Sequence, residues 1–168
     1  MHNVDIRVIR IFNTYGPRQS ARAIIPTIIT QILSGKKEIE LGATTPTRDF
    51  NYVLDTCNAF LEVVKTDLTI GKTINVASKF EISIGETALL ISKIMNKEVE
   101  IDCDEERLRP ENSEVERLYG DNTLIKKITN WKPKFAGLEG FKEGLKLTID
   151  WFNFSDNLSF YRPNKYNM

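Results

Sequence analysis

The chain has 168 residues, 41% hydrophobic and 27% charged, values that exclude bulk disorder and give enough length for a core. Lysine plus arginine and aspartate plus glutamate balance at 23 each, so there is no basic field to attract nucleic acid or an anionic membrane. No apolar run reaches the length of a membrane span and no signal pattern is visible, so no nucleic-acid or membrane partner and a cytoplasmic location are expected.

Residues 4–12 (Val-Asp-Ile-Arg-Val-Ile-Arg-Ile-Phe) are rich in Ile and Val and read as one buried strand. Residues 13–21 read as a polar loop built on Asn13-Thr14-Tyr15-Gly16-Pro17-Arg18. A polar turn closing an apolar strand is where an open α/β sheet presents a ligand. A helix is predicted over 22–34, with Pro26 in its first turn and Gly35 ending it. A short strand at 38–41, a turn around Pro46 and an extended stretch over 48–52 follow. Val53, Cys57, Phe60, Leu61 and Val64 fall at helical spacing, predicting a helix over 53–65. Strands are predicted at 73–77 and 98–102. Between them Ser83 and Glu86 match a capping box that starts a helix running to about Asn96. Residues 103–118 read as an exposed charged loop, and Asp121 as the cap of a short helix carrying Leu124, Ile125 and Ile128. Leu138, Phe141, Leu145, Ile149 and Phe152 form an amphipathic stripe over 138–152. Residues 153–168 read as a tail. Cys57 and Cys103 form no Cys-x-x-Cys motif and are expected as reduced, buried small hydrophobes. The single histidine, His2, excludes a histidine triad or a multi-histidine zinc site within these residues.

Two patterns invite over-reading. Tyr161-x-x-x-Lys165 has the spacing of a dehydrogenase acid/base pair, but Pro163 opposes the helix that would align the two side chains. Gly137, Gly140 and Gly144 loosely resemble a dinucleotide loop, but two of them fall inside the predicted last helix. Three other positions carry more. Arg48 is either a surface partner of Asp49 or a guanidinium fork for a phosphate. Arg109-Pro110 sits in the charged loop, where a solvated charge run competes with a ligand role. Asn13, at a strand end, can cap the turn or bind a ligand oxygen.

Residues 10–18 (Arg-Ile-Phe-Asn-Thr-Tyr-Gly-Pro-Arg) strongly resemble the segment after the catalytic helix in extended short-chain dehydrogenases acting on nucleotide sugars. Ile25-Pro26, then Thr47-Arg48-Asp49-Phe50-Asn51-Tyr52-Val53 with Asp55, then Arg109-Pro110 with Asp121 and Trp131-Lys132-Pro133 follow in that family's order. The runs 15–22 and 46–50 are most similar to nucleotide-sugar 4,6-dehydratases of the legionaminic-acid type. UDP-glucuronate decarboxylases and 4-epimerases are the alternatives within the family. A non-catalytic nucleotide-sugar-binding module or an inactive remnant is the alternative outside it. Asn130 replaces the family's usual glycine before Trp131, compatible with a left-handed helix end.

The resemblance implies an α/β fold: the carboxy-terminal portion of a Rossmann-type NAD(P)-binding fold plus a small α/β substrate-binding lobe over 1–152, with 153–168 as the tail. It also implies roles. Asn13 would contact the diphosphate of a nucleotide-diphosphate sugar, Arg48 and Arg109 would hold its phosphates or ribose, residues near Ile24–Pro26, Ile25 among them, and Leu41 would flank the base, and Ile11 and Phe12 would lie by the nicotinamide of NAD. In such dehydratases NAD takes a hydride from sugar C4, water leaves across C5–C6, and the hydride returns to C6. The family's glycine-rich loop and catalytic Tyr-x-x-x-Lys precede the matched segment. The chain is therefore expected as a carboxy-terminal part, with no NAD bound and no catalysis on its own. A partner half or a homodimer mate is a further expectation.

Overall fold

The computed structural model describes residues 4–108, 115–159 and 161. The chain begins with β1 (Val8–Ile11) and β2 (Asn13–Tyr15), then α1 (Ile24–Leu33), β3 (Glu38–Leu41), β4 (Thr47–Tyr52) and α2 (Val53–Val64). It continues through β5 (Thr73–Val76), β6 (Glu81–Ser83), α3 (Ile84–Ile94), β7 (Glu100–Cys103) and β8 (Arg117–Leu118), and closes with α4 (Thr123–Ile128), α5 (Gly137–Phe152) and α6 (Ser155–Leu158). Mixed α/β with parallel pairing is the observed class, as expected.

The predicted first strand is two strands. β1 pairs in parallel with β5, Val8 opposite Thr73, and β2 pairs in parallel with β4, Asn13 opposite Phe50. Phe12 is the corner: its N–H still donates to Val76 O at 3.1 Å, after which the chain changes partner. The polar loop expected from residue 13 onward therefore begins only after Tyr15. β4 also pairs antiparallel with β6 and in parallel with β8, while β3 pairs in parallel with β7.

Two cores result. The larger one packs Ile25, Ile28, Ile29 and Ile32 of α1, Ile39 and Leu41 of β3, Ala88 and Ile91 of α3, and Phe141, Leu145, Ile149 and Phe152 of α5 around Tyr15, Phe50 and Tyr52. The smaller one joins Ala59 and Val63 of α2 to Ile74 and Val76 of β5, Ile125 of α4 and Trp131. Helix starts follow local chemistry. Pro26 lies in the first turn of α1, and Ser83 and Glu86 form the full reciprocal capping box of α3. The Ser83 bonds hold the Glu86 carboxyl below its ordinary range. That part of the cap is present at neutral pH and lost as the pH falls through the lowered value.

Glycine at 144 is a packing requirement: a Cβ there would overlap the Tyr15 hydroxyl. Gly144 thus serves a close helix–strand contact and Gly140 a close approach of α5 to the Phe135 backbone, and neither belongs to a phosphate loop. Tyr15 is buried, and its hydroxyl donates to Phe141 O at 3.3 Å. Burial first, then Tyr52 and Asp55, raise its pKa, so it remains a neutral phenol.

Several expectations are corrected. α2 buries Asp55, Thr56, Ala59 and Val63 and turns Leu54, Cys57, Phe60, Leu61 and Val64 outward. Both cysteines are free as expected, but both are exposed. Asn130 is absent from the left-handed region; Thr129 ends α4 in extended conformation, and the left-handed asparagine is Asn96 after α3. Asp121 does serve α4, accepting from Thr123 N at 3.1 Å and Thr123 Oγ1 at 2.6 Å. Part of the expected tail is folded, with α6 and Tyr161 packed back on α5.

The acids of the Arg-Asp-Phe segment hold these pieces together. The Asp49 side chain, fully buried, accepts from Ser78 N (2.8 Å), Ser78 Oγ (2.7 Å), Lys79 N (3.1 Å) and Gly120 N (3.2 Å). Asp55 accepts from Lys134 N and Phe135 N, and its carbonyl accepts from the Trp131 indole. Asp49→Ala strands three buried backbone donors, so it is predicted to lower the unfolding free energy by about 3 kcal/mol or more. Urea denaturation checks this; a loss below about 1 kcal/mol contradicts it.

Candidate functional site

Strand alternation decides what β4 presents. Successive side chains point to opposite faces, so with Asp49 inside, Arg48 is turned the other way. The surface Arg48–Asp49 pairing left open by the sequence is thereby excluded. Arg48 is half-buried, and its Nη1 donates to the carbonyls of Thr47 (2.8 Å) and Val115 (2.6 Å). It lines a cleft of about 280 Å³ together with Asn13, Leu41, Phe50 and the residues that open α1.

Asn13 reaches this cleft because β2 runs parallel to β4; its Nδ2 donates to Asp49 O at 3.4 Å. Leu41 stands at the carboxyl end of β3, its side chain buried in the larger core beneath the cleft. Ile25 is not brought to the cleft. It is fully buried among the α1 core residues, and its neighbour Ile24 takes the lining position. Arg109 lies outside the described residues, as do residues 162–165 of the Tyr161-x-x-x-Lys165 pattern.

The sequence reading missed five polar lining residues: Gln19, Arg22, Thr27, Glu40 and Arg107. Arg22 ended the quoted run 15–22 and opened the predicted helix, and that position was the available signal. Arg107 gave none. It is fixed by tertiary partners, its Nε on Asp104 (2.7 Å) and its Nη2 on Glu40 (3.1 Å). Arg22, Arg48 and Arg107 line the cleft beside Glu40, itself engaged by Lys36 and Arg107, and guanidinium groups in such a place suit an anion.

A second concavity, about 310 Å³, opens beside it and is lined by Arg10, Ile11, Phe12, Asn13 and Leu118. It sits at the carboxyl end of β1, where open α/β sheets bind their ligands. Ile11 and Phe12 are thus together on this wall, and Asn13 is common to both concavities. No group of three or more His, Cys, Asp or Glu side chains able to hold a metal occurs among the described residues, and no described helix is long and apolar enough to cross a membrane.

A general acid/base pair is not formed by the described residues of the cleft. What the arrangement offers is recognition: guanidinium groups for an anion, an amide at the junction of two hollows, and an apolar floor.

The family model described as GDP-mannose 4,6 dehydratase matches residues 1–145. UDP-glucuronic acid decarboxylase 5 of Arabidopsis thaliana is 30% identical over 153 residues, covering 90% of this chain and 42% of that protein. The human dTDP-D-glucose 4,6-dehydratase is 30% identical over 161 residues, again 90% and 42%. The chain therefore spans less than half the length of these curated relatives. Among solved structures, the dTDP-glucose 4,6-dehydratase of Bacillus anthracis in complex with NAD aligns with a TM-score of 0.75 at 28% identity, covering 94% of this chain and 47% of that one.

Proposed function

Because the chain belongs to the GDP-mannose 4,6 dehydratase family, we propose that it is the substrate-binding part of an NAD-dependent nucleotide-sugar 4,6-dehydratase, acting in a longer assembly to convert a nucleotide-linked hexose to its 4-keto-6-deoxy form. The observation that carries this reading is the convergence of Asn13, Arg22, Arg48 and Arg107 on one cleft. The guanidinium groups supply the charge that a diphosphate needs, and Ile24, with Leu41 packed beneath the cleft, supplies apolar wall for a base. The similarity of the runs 15–22 and 46–50 to legionaminic-type enzymes favours dehydration over the decarboxylation named for the Arabidopsis relative.

The wall formed by Ile11 and Phe12 fits the edge of a nicotinamide, being apolar and at a parallel strand's carboxyl end. NAD bound there would supply hydride uptake and return. Asn13, shared by the two concavities, would orient the sugar between diphosphate and cofactor. The glycine-rich loop and the Tyr-x-x-x-Lys pair are not among these residues, so the chain by itself is proposed to bind the nucleotide sugar and not NAD.

The domain division follows from the same reading: residues 1–152 are one half of a larger unit. Support comes from a bare apolar face. Parallel strands are normally covered on both sides, yet Val8 and Ile11 of β1 are each 47% exposed. On α2, Leu54 and Leu61 are each 58% exposed, with Cys57 and Val64 completing a stripe. Scattered exposed apolar residues are ordinary, but an apolar stripe along a helix, together with a strand edge left unpaired among the described residues, calls for a cover. The dinucleotide-binding half of the relatives is the proposed cover.

Two outcomes are expected. UDP- or GDP-linked hexoses raise the melting temperature of the chain, NAD does not, and Arg48→Ala abolishes the rise; a rise with NAD alone would sink the account. By size-exclusion chromatography the chain alone elutes larger than a monomer, and Leu54→Lys with Leu61→Lys moves it toward the monomer position. A monomer peak from the unsubstituted chain would argue against the uncovered face.

A further inference from the structure

The loop between β2 and α1 forms one rim of the cleft through Gln19, Arg22 and Ala23. Its conformation is costly. Gly16 has φ of +144°, and a Cβ there would lie 2.7 Å from Val53 Cγ1. Arg18, not a glycine, has φ of +65°, a left-handed conformation that surrounding contacts must enforce. The bond from Gln19 N to Gly16 O is long, at 3.3 Å. Two stronger bonds act on the next residue: Gln19 Nε2 donates to Thr14 O at 2.7 Å, and the Tyr161 hydroxyl donates to Gln19 O at 2.7 Å.

Tyr161 is 142 residues away from Gln19 in sequence. Its ring is held edge-on against Phe152, with centroids 4.7 Å apart, and against Trp151 at 6.2 Å. The hydroxyl is thereby aimed by packing that it does not itself provide.

We propose that Tyr161 is a positioning residue for the cleft: its hydroxyl clamps the Gln19 carbonyl and so holds the Gln19–Ala23 rim in the ligand-accepting shape. The proposal rests on the reading that this cleft takes a nucleotide sugar. It divides the residue's two parts. The ring belongs to the α5 packing, while the hydroxyl serves the rim. Burial raises the phenol's pKa, which keeps it a donor through the neutral range.

Tyr161→Phe separates the two, because the ring stays and only the donor is lost. In the full chain, affinity for UDP-glucose or GDP-mannose, whichever the unsubstituted protein binds, is expected to fall roughly three- to tenfold, the worth of one neutral hydrogen bond. Without ligand, amide hydrogen exchange at 18–23 is expected to quicken, while exchange in α5 and the melting temperature stay near the unsubstituted values. Tyr161→Ala, which removes the ring as well, should also lower the melting temperature. Unchanged rim exchange in Tyr161→Phe overturns the proposal, as does unchanged affinity. If neither sugar nucleotide binds the unsubstituted chain, the nucleotide-sugar reading fails, and rim exchange alone still decides whether Tyr161 sets the rim.

Discussion

A buried carboxylate organises this molecule. Asp49 is removed from water and accepts four hydrogen bonds, three of them from backbone N–H groups of two segments distant in sequence, Ser78–Lys79 and Gly120. An ionised group in such a place is tolerated only when its acceptor capacity is filled. The constraint runs both ways: β4 cannot shift register without stranding the charge, and the 78–79 and 120 segments cannot leave without losing their acceptor. Asp55, one turn into α2, does the same for Lys134 and Phe135. Between them the two acids bring both cores and the chain after α4 against a single strand-to-helix unit.

The cleft inherits its geometry from that constraint. Because a strand alternates faces, fixing Asp49 inward fixes Arg48 outward, and because β2 is registered on β4, Asn13 arrives at the same mouth. Adjacent residues of the Arg-Asp-Phe segment thus do two things: Arg48 lines the cleft and Asp49 ties the fold together. Glycine at 144 completes the support from below, letting α5 approach the buried Tyr15 closely enough for its hydroxyl to reach Phe141 O.

β1 and α2 have a different character. β1 pairs on one side only among the described residues and shows apolar side chains to solvent, and α2 carries an outward stripe of the residues that a helical-wheel argument would bury. Helical periodicity identifies an apolar face but not which partner covers it. Here the smaller core uses Ala59 and Val63, the less conspicuous residues, and the larger side chains face solvent.

How much of this was legible in the chain depends on the range of the interaction. Elements set by local chemistry were readable: α1 with Pro26 in its first turn, the Ser83–Glu86 box of α3, and the stripe of α5. So was membership of a nucleotide-sugar family, because ordered short motifs survive in sequence, and Asn13, Leu41 and Arg48 were named as site residues and meet at one cleft. What needed the tertiary structure were the facts that depend on partners far along the chain. These include the division of residues 4–12 between two sheets and the outward turn of the α2 stripe. Within the Ile24–Pro26 run only the structure separates Ile25 in the core from Ile24 at the cleft, and Arg107 is recruited through Asp104 and Glu40. Sequence fixes a residue's local periodicity and charge, but a face becomes inside or outside, and a cation becomes part of a site, only when distant backbone donors such as Ser78, Lys79 and Gly120 close on Asp49.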